Sequence, residues 1–266
     1  MRRSTPLRVV VIAGAALVVL GALCGVGKTT ARADERAPAP NRYALDLSGV
    51  RVGFVRASAV DGDKTLVLGV QDIAPPLVAI VDGFTQGKSV TRDVRLTSGA
   101  IVRRANDAKL STVKLPALGF GGATDIELAF VAPKIATQPL LSAKEAPPSP
   151  AAARITGFRI DISGMQAIEA PKLGAITVTQ RPDGGTPTTG EILIEVAAGG
   201  APPFAAWHKA GGAKAPPRTL RVEYVGAEGA AILKLQLDRC APSAVTPLGA
   251  SGTTRIALTC GAVRPG

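Results

Sequence analysis

The sequence has few of the residues on which many enzymes depend. Histidine occurs once in 266 residues, as His208, and cysteine occurs three times. A hydrolytic serine would need that histidine as its base and an acid to orient it, and no spacing in the chain supports such a set. Two cysteines beyond the first 33 residues and one histidine are too few for a typical zinc site. We therefore predict that the protein is not an enzyme and has no cofactor and no metal ion.

Aromatic residues make up only 3% of the chain, whereas glycine occurs 30 times and proline 21 times. This balance is typical of short strands and turns rather than of long helices. With 46% hydrophobic and 19% charged residues, the chain can bury a core and does not have the composition of a disordered protein.

The chain also lacks runs of lysine and arginine, although its formal net charge is +11. Residues 1–33 contain five basic residues and no acidic one, so a net charge of +6 remains for the rest. Those basic residues are scattered, and no aromatic residues lie among them to stack on bases. The composition indicates a mildly basic, solvated surface and no nucleic-acid partner.

Residues 1–33 have the pattern of a signal peptide. Arginines precede the apolar run Val9–Leu23, and the segment ends in Ala31-Arg32-Ala33, which has the small-x-small form of a cleavage site. We expect cleavage between Ala33 and Asp34 and a mature protein in the periplasm or outside the cell.

An uncleaved membrane anchor formed by residues 7–26 is the alternative. This apolar stretch is close to the roughly 18 residues of a spanning candidate. The protein would then contact the membrane through the leader alone. In both cases residues 34–42 form a short tether that contains prolines.

Apolar and polar residues alternate along much of the remaining chain, which is typical of antiparallel strands with one buried face. We therefore predict an all-β, mainly antiparallel fold. One short helix is expected at Pro203–Ala210, where Phe204 and Trp207 have helical spacing. The alternating apolar sets are Tyr43/Leu45/Leu47, Ile126/Leu128/Phe130, Phe158/Ile160/Ile162, Ile192/Ile194/Val196, Leu220/Val222/Tyr224, Leu233/Leu235/Leu237 and Ile256/Leu258/Cys260.

The chain contains an internal repeat. Tyr43–Gly49 recurs as Phe158–Gly164, an offset of 115 residues, and Thr124–Leu128 aligns with Thr254–Leu258, an offset of 130. Internal repetition of this kind predicts related structural units. We expect two tandem barrel-like β-sandwich domains, at residues 43–141 and 154–266, joined by a proline-rich linker at residues 142–153.

The second copy resembles the tail tube protein family of contractile phages, which is related to the tube protein of type VI secretion. The resemblance lies in a first strand that ends in Ser163-Gly164, the helix with Phe204 and Trp207, and a final strand at Thr254–Thr259. It implies two orthogonally packed antiparallel sheets that form a barrel-like sandwich with one flanking helix. The first copy resembles the same family with the helix missing.

Two functional hypotheses follow. The first is an exported binding or envelope module that has no catalytic activity and associates with proteins or with itself. The second is a self-assembling tube or hub subunit of a phage-tail-like or secretion particle, in which a trimer of two-domain chains mimics a six-fold ring. The leader favours the first hypothesis and the repeat favours the second.

The expected oligomeric state depends on the strand edges. Arginines flank two strands, as Arg92 and Arg95 and as Arg218 and Arg221, and proline pairs at 75–76 and 216–217 stand at expected strand entries. Such residues protect edges from pairing. We therefore expect a monomer or a small oligomer.

Asp46, Asp161 and His208 are candidate site residues. Asp46 and its repeat Asp161 precede Ser-Gly on the polar side of a strand, which favours a role in the turn or a position facing solvent. His208 lies beside Trp207 on the expected helix, and we expect a surface or partly packed imidazole rather than a general base.

Cys240 and Cys260 allow two outcomes. Export would expose both to an oxidising compartment in which a disulfide forms. In a simple hairpin the two residues would lie on the order of 20 Å apart, too far for a bridge. A chain that crosses between sheets would bring them together, and two small buried thiols are the other possibility.

Overall fold

The computed structural model describes residues 43–61, 64–98, 101–121, 124–139, 152–166, 170, 172–211, 214–249 and 252–266. In the first half, helix α1 (Pro75–Thr85) lies between the third and fourth of seven strands. These strands are β1 (Tyr43–Leu47), β2 (Val50–Asp61), β3 (Thr65–Val70), β4 (Thr91–Ser98), β5 (Ile101–Leu115), β6 (Ile126–Val131) and β7 (Ile135–Pro139).

In the second half, a 3-10 helix (Ala198–Gly200) and helix α2 (Pro202–Lys209) precede the sixth strand. The strands are β8 (Gly157–Ile162), β9 (Lys172–Leu173), β10 (Ile176–Thr179), β11 (Thr188–Thr189), β12 (Ile192–Ala197), β13 (Arg218–Val225), β14 (Ala231–Pro247), β15 (Thr253–Thr259) and β16 (Ala262–Pro265). The described strands pair antiparallel throughout, so the predicted all-β class is confirmed.

Six strands of the first half close into a barrel. The order is β5-β4-β1-β2-β3-β6, and β6 pairs back onto β5. Closure depends on the length of β5, which pairs with β4 along its first part and with β6 along its second part. Alternate residues point inward, and on β3 these are Leu66, Leu68 and Val70, each at most 1% exposed. The barrel interior is therefore filled with aliphatic side chains.

The second half has the same order of strand pairing, but its described strands do not close into a barrel. Its sheet runs β8-β13-β14-β15-β12-β9, which follows the order β1-β4-β5-β6-β3-β2 of the first half. In the first half β2 pairs with β1, whereas β9 does not pair with β8. Strands β10 and β11 instead extend the first sheet, because β10 pairs with β5 from Ile176 opposite Leu115 to Thr179 opposite Thr112.

Strand pairing crosses the predicted boundary between the two halves. All described residues belong to one compact unit, Pro38–Gly266. The first sheet takes β10 and β11 from beyond the predicted linker. Most of that linker lies outside the described residues, and its last residue, Ala153, forms an antiparallel bridge with Ile73.

The long strands β5 and β14 bend in the same way. Asp107 in β5 and Arg239 in β14 have positive φ angles of 49° and 54°. Each strand has a bulge a few residues later, after Leu110 and after Pro242. The hydroxyl of Ser111 donates to the carbonyl of Ala129 at 3.1 Å, and that of Ser243 donates to Ala257 at 3.1 Å.

The repeated Ser-Gly turns also make matching hydrogen bonds. The Ser48 N–H donates to the carbonyl of Asp93 at 2.8 Å, and the Ser163 N–H donates to that of Thr219 at 2.9 Å. In return, the N–H of Asp93 donates to the Ser48 hydroxyl at 3.4 Å, and the N–H of Thr219 donates to the Ser163 hydroxyl at 3.0 Å. Each serine therefore fastens the end of one strand to its neighbour.

Strand pairing corrects the second offset of the repeat. Leu110 pairs with Phe130, and the matching position Pro242 pairs with Leu258. Phe130 therefore corresponds to Leu258, an offset of 128 residues, so the alignment at 130 is wrong by two positions. A strand pattern repeats every two residues, so a shift of two keeps every side chain on its predicted face.

The first half contains a helix, so the prediction that this helix is missing is wrong. Two prolines occupy the first turn of α1, where their missing N–H groups cost nothing. An apolar stripe of Leu77, Ile80, Val81 and Phe84 is buried. This stripe keeps the chain helical through Asp82-Gly83, a dipeptide that is typical of turns.

The predicted second helix is confirmed within one residue at each end. Phe204 and Trp207 are 0% and 4% exposed and anchor α2 in the core. The indole N–H of Trp207 donates to the carbonyl of Pro216 at 2.9 Å, and the guanidinium of Arg218 lies 5.2 Å from the ring centroid.

The arginines expected to protect strand edges lie on interior strands. Arg92 and Arg95 are on β4, between β1 and β5, and Arg218 and Arg221 are on β13, between β8 and β14. The prolines at 75–76 begin a helix rather than a strand. The edge argument for a monomer therefore fails at these positions.

Candidate functional site

Cys240 and Cys260 form a disulfide, with their Cα atoms 3.9 Å apart. The hairpin geometry that argued against the bridge is wrong because β14 does not end near Leu237. It continues to Pro247, and Ala241 pairs with Thr259. The two cysteines therefore lie opposite each other, one residue beyond this pair.

The repeated aspartates have different surroundings. Asp46 is 4% exposed and accepts a hydrogen bond from Nε of Arg51 at 2.6 Å, so the solvent-facing interpretation is wrong for this residue. A bulge in the β1–β2 pairing beside Asp46 brings the arginine to it. Asp161 is exposed and lies 4.0 Å from Arg221.

His208 is half-buried on α2, and its Nδ1 lies 3.1 Å from the carbonyl oxygen of Pro242. A carbonyl can only accept, so Nδ1 carries the hydrogen of this bond. The imidazole therefore ties α2 to β14, as expected for a partly packed residue.

A buried carboxylate, Glu195 on β12, is held between two cations. It is 1% exposed, with Lys172 Nζ 2.9 Å and an Arg255 nitrogen 2.7 Å from its oxygens. The hydrogen bonds from Lys172 and then from Arg255 lower the pKa of Glu195. The cluster joins β9, β12 and β15 and has the features of a structural ion-pair network.

A cleft of about 720 Å³ lies where the end of α1 meets the second half. Four segments form it, and two of them make one wall. They are Thr85–Gly87 at the end of α1, Gly185–Pro187 between β10 and β11, and a wall of Asp238, Arg239 and Ala262–Pro265 from β14 and β16.

One end of the cleft is closed by two glycines. Gly87 has a φ of +82°, and a Cβ atom there would lie 2.8 Å from the carbonyl oxygen of Gly185. The N–H of Gly185 donates to the Gly87 carbonyl at 3.4 Å, and the Ser89 hydroxyl donates to that of Pro182 at 3.1 Å. Glycine is needed at position 87 because of both its φ and this close approach.

The wall of the cleft carries an ordered ion pair. Arg264 donates to Asp238 through Nε at 2.6 Å and through a second guanidinium nitrogen. Burial alone would raise the pKa of Asp238, but hydrogen bonds from Arg264, Gln236 and Thr219 outweigh it and lower that pKa. Arg239 donates to the carbonyl of Gly261 at 3.1 Å.

The cleft is lined by both polar and apolar groups. Its lining combines threonine hydroxyls, two guanidinium groups and one carboxylate with the apolar surface of Val263 and the prolines. Neither histidine nor cysteine occurs in this lining, so it offers no pairing of a nucleophile with an imidazole base. Concave sites of this size, with a few polar groups among apolar ones, bind ligands or peptide segments.

The predicted cleavage site, Ala33 and Asp34, lies outside the described residues. Among the residues that the structure does describe, no helix has the length and hydrophobicity to cross a bilayer. Nor do these residues hold a group of three or more His, Cys, Asp and Glu side chains placed to bind a metal ion.

No protein-family model matches the chain, and a comparison with curated protein sequences also gives no match.

Proposed function

We propose that the protein is a non-enzymatic exported module, built from two duplicated barrel-like units, that binds a protein partner or forms part of the cell envelope. The observation that carries this proposal is the shared order of strand pairing in the two halves, β1-β4-β5-β6-β3-β2 and β8-β13-β14-β15-β12-β9.

Local details support duplication. The Ser48 and Ser163 bonds, the Ser111 and Ser243 bonds and the bends in β5 and β14 occur at matching places. Both helices begin with two prolines, after β3 and after β12 respectively. These features do not follow from strand pairing alone.

The disulfide supports export. Disulfides form and persist in oxidising compartments and are rare in the cytosol. The Cys240–Cys260 bridge therefore agrees with a leader that ends at Ala33, and a partner would be another secreted or envelope protein.

The cleft between α1 and the second half is the proposed binding site. A photoreactive amino acid at Thr186, in the cleft, is expected to give a covalent adduct with a discrete partner in the producing cells. The same amino acid at Ile101, which is 51% exposed and lies on β5 outside the lining of the cleft, is the matched control. Equal labelling from both positions, or none from Thr186, would contradict binding at the cleft.

The alternative is a tube or hub subunit of a phage-tail-like or secretion particle. The closed six-stranded barrel with a helix in the same half favours it, because the resemblance to tail tube proteins implies such a unit. Rings or rods in negative-stain images, made of trimers of the chain, would support this function over the first. Particles with no central opening would count against it.

A further inference from the structure

The first strand of the second half has an open edge. The corresponding strand β1 is paired on both sides, with β4 and with β2. Strand β8 pairs with β13 and is the last strand of its sheet within the described part of the chain. An unprotected edge of this kind is a template for another strand.

The open edge presents backbone groups in a regular pattern. The Ser163 N–H donates to Thr219 of β13, so by the alternation of an antiparallel ladder Asp161 and Arg159 also direct their backbone groups toward β13. Phe158, Ile160 and Ile162 therefore direct theirs toward the open side. The Ile162 carbonyl also points away from β13, but it already accepts the Met165 N–H at 3.0 Å, so the Ile160 pair at the centre would carry the main hydrogen bonds of the new ladder.

We propose that this edge pairs antiparallel with β8 of a second copy of the chain, centred on Ile160, so that the two second-half sheets form one continuous sheet across a two-fold axis. In this register Ile160 lies opposite its symmetry mate, with outward N–H and C=O groups facing each other. Phe158 lies opposite Ile162 of the second copy, on the face that packs on the core.

Charge selects this register. With Ile160 at the centre, Arg159 of each copy lies opposite Asp161 of the other on the solvent face. Arg159 already lies 3.6 Å from Glu223 and donates to the carbonyl of Gly229, and Asp161 lies 4.0 Å from Arg221, but the two side chains are 62% and 63% exposed and can also contact a second copy. A shift of the centre by one residue in either direction places Arg159 opposite Arg159 or Asp161 opposite Asp161, and like charges directly opposite are unfavourable.

The strand has few of the features that protect an edge, and its two charged residues, Arg159 and Asp161, are of opposite sign. Gly157–Ile162 contains no proline or lysine, and Phe158 is only half-buried at the edge. By contrast, β7, one of the other edge strands, ends in proline and is half-exposed or exposed along its length. The pairing is thus specific to the place where the second barrel fails to close, and it does not depend on the proposed binding function.

Charge exchange tests the pairing. The protein is purified as the producing cells accumulate it. Sedimentation velocity should then show a dimer whose fraction rises with protein concentration. Arg159→Asp alone, or Asp161→Arg alone, should weaken dimerisation about tenfold, because each change acts at two symmetric contacts. The double variant Arg159→Asp/Asp161→Arg should restore it. Thermal unfolding of each variant checks that the monomer remains folded.

The matched control is the exposed cross-strand pair Lys114 and Glu127, 3.7 Å apart on β5 and β6 and away from the open edge. Exchanging these two charges should leave dimerisation unchanged. The proposal is overturned if the protein stays monomeric up to about 1 mM, a limit that corresponds to very weak association. It is also overturned if the double charge exchange does not restore the dimerisation that each single substitution weakens.

Discussion

Replacing both bridged cysteines by alanine, as Cys240→Ala/Cys260→Ala, removes a cross-link between β14 and β15. The bridge closes a loop with a sequence separation of 20 residues. Loop-closure entropy in the unfolded chain then predicts a loss of about 3 kcal/mol in the free energy of unfolding. For a folded unit of this size such a loss lowers the unfolding midpoint by about 6 to 12 °C.

Thermal and urea unfolding, each with and without reductant, measure the effect. The oxidised wild-type protein should unfold last. The reduced wild-type protein and the double variant should unfold together, because both lack the cross-link, and reductant should not affect the variant. Equal midpoints for the oxidised and reduced wild-type protein, or recovery of unlinked Cys240 and Cys260 peptides from the oxidised protein, would refute the reasoning.

Three further predictions concern the serines, the buried carboxylate and the cleft glycine. Ser163→Ala should lower the free energy of unfolding by about 1 kcal/mol, and Ser48→Ala by less because its bond is longer; equal losses in urea unfolding would contradict this. The lowered pKa of Glu195 means that its contribution is present above pH 4.5, its ordinary pKa, and is lost as the pH falls through the folded-state value. Glu195→Gln should therefore flatten the acid limb of a stability-against-pH curve, and an unchanged limb would count against the ion-pair network. Gly87→Ala should cost about 1 to 3 kcal/mol more than Gly121→Ala, on the order of an overpacking clash, because both have positive φ but only at Gly87 would an added Cβ atom meet a carbonyl oxygen within 3 Å.

The alternation of apolar and polar residues correctly predicted strands that have one buried face and one exposed face. The sets at Phe158–Ile162, Leu220–Tyr224 and Leu233–Leu237 all lie in strands. Their apolar residues, at even positions in the first two sets and at odd positions in the third, lie on the core side of the sheet as expected. Alternation succeeds here because a sheet with one buried face imposes it directly.

Helix α1 was missed because two turn signals outweighed the apolar spacing. Pro75-Pro76 and Asp82-Gly83 are both typical of turns, yet Leu77, Ile80 and Phe84 have the three- and four-residue spacing of a helix face. Prolines in a first turn are compatible with a helix. The stripe itself was the signal that could have found it.

The cleft could not be found from local patterns. Its walls come from residues 85–87, 185–187, 238–239 and 262–265, and their meeting depends on β10 leaving its own half to pair with β5. No local pattern specifies that pairing. The sequence could not decide whether Cys240 and Cys260 are bridged, because the length of β14 beyond Leu237 sets the register of the two cysteines.

Intact-mass analysis of the native protein, taken separately from the cytoplasm, the membrane and the exported fraction of the producing cells, tests the proposal of an exported module most directly. The account predicts a chain that begins at Asp34, occurs outside the cytoplasm, and is lighter by two hydrogens because Cys240 and Cys260 are bridged. A chain that retains Met1–Ala33 and carries two free thiols in the cytoplasm would contradict it.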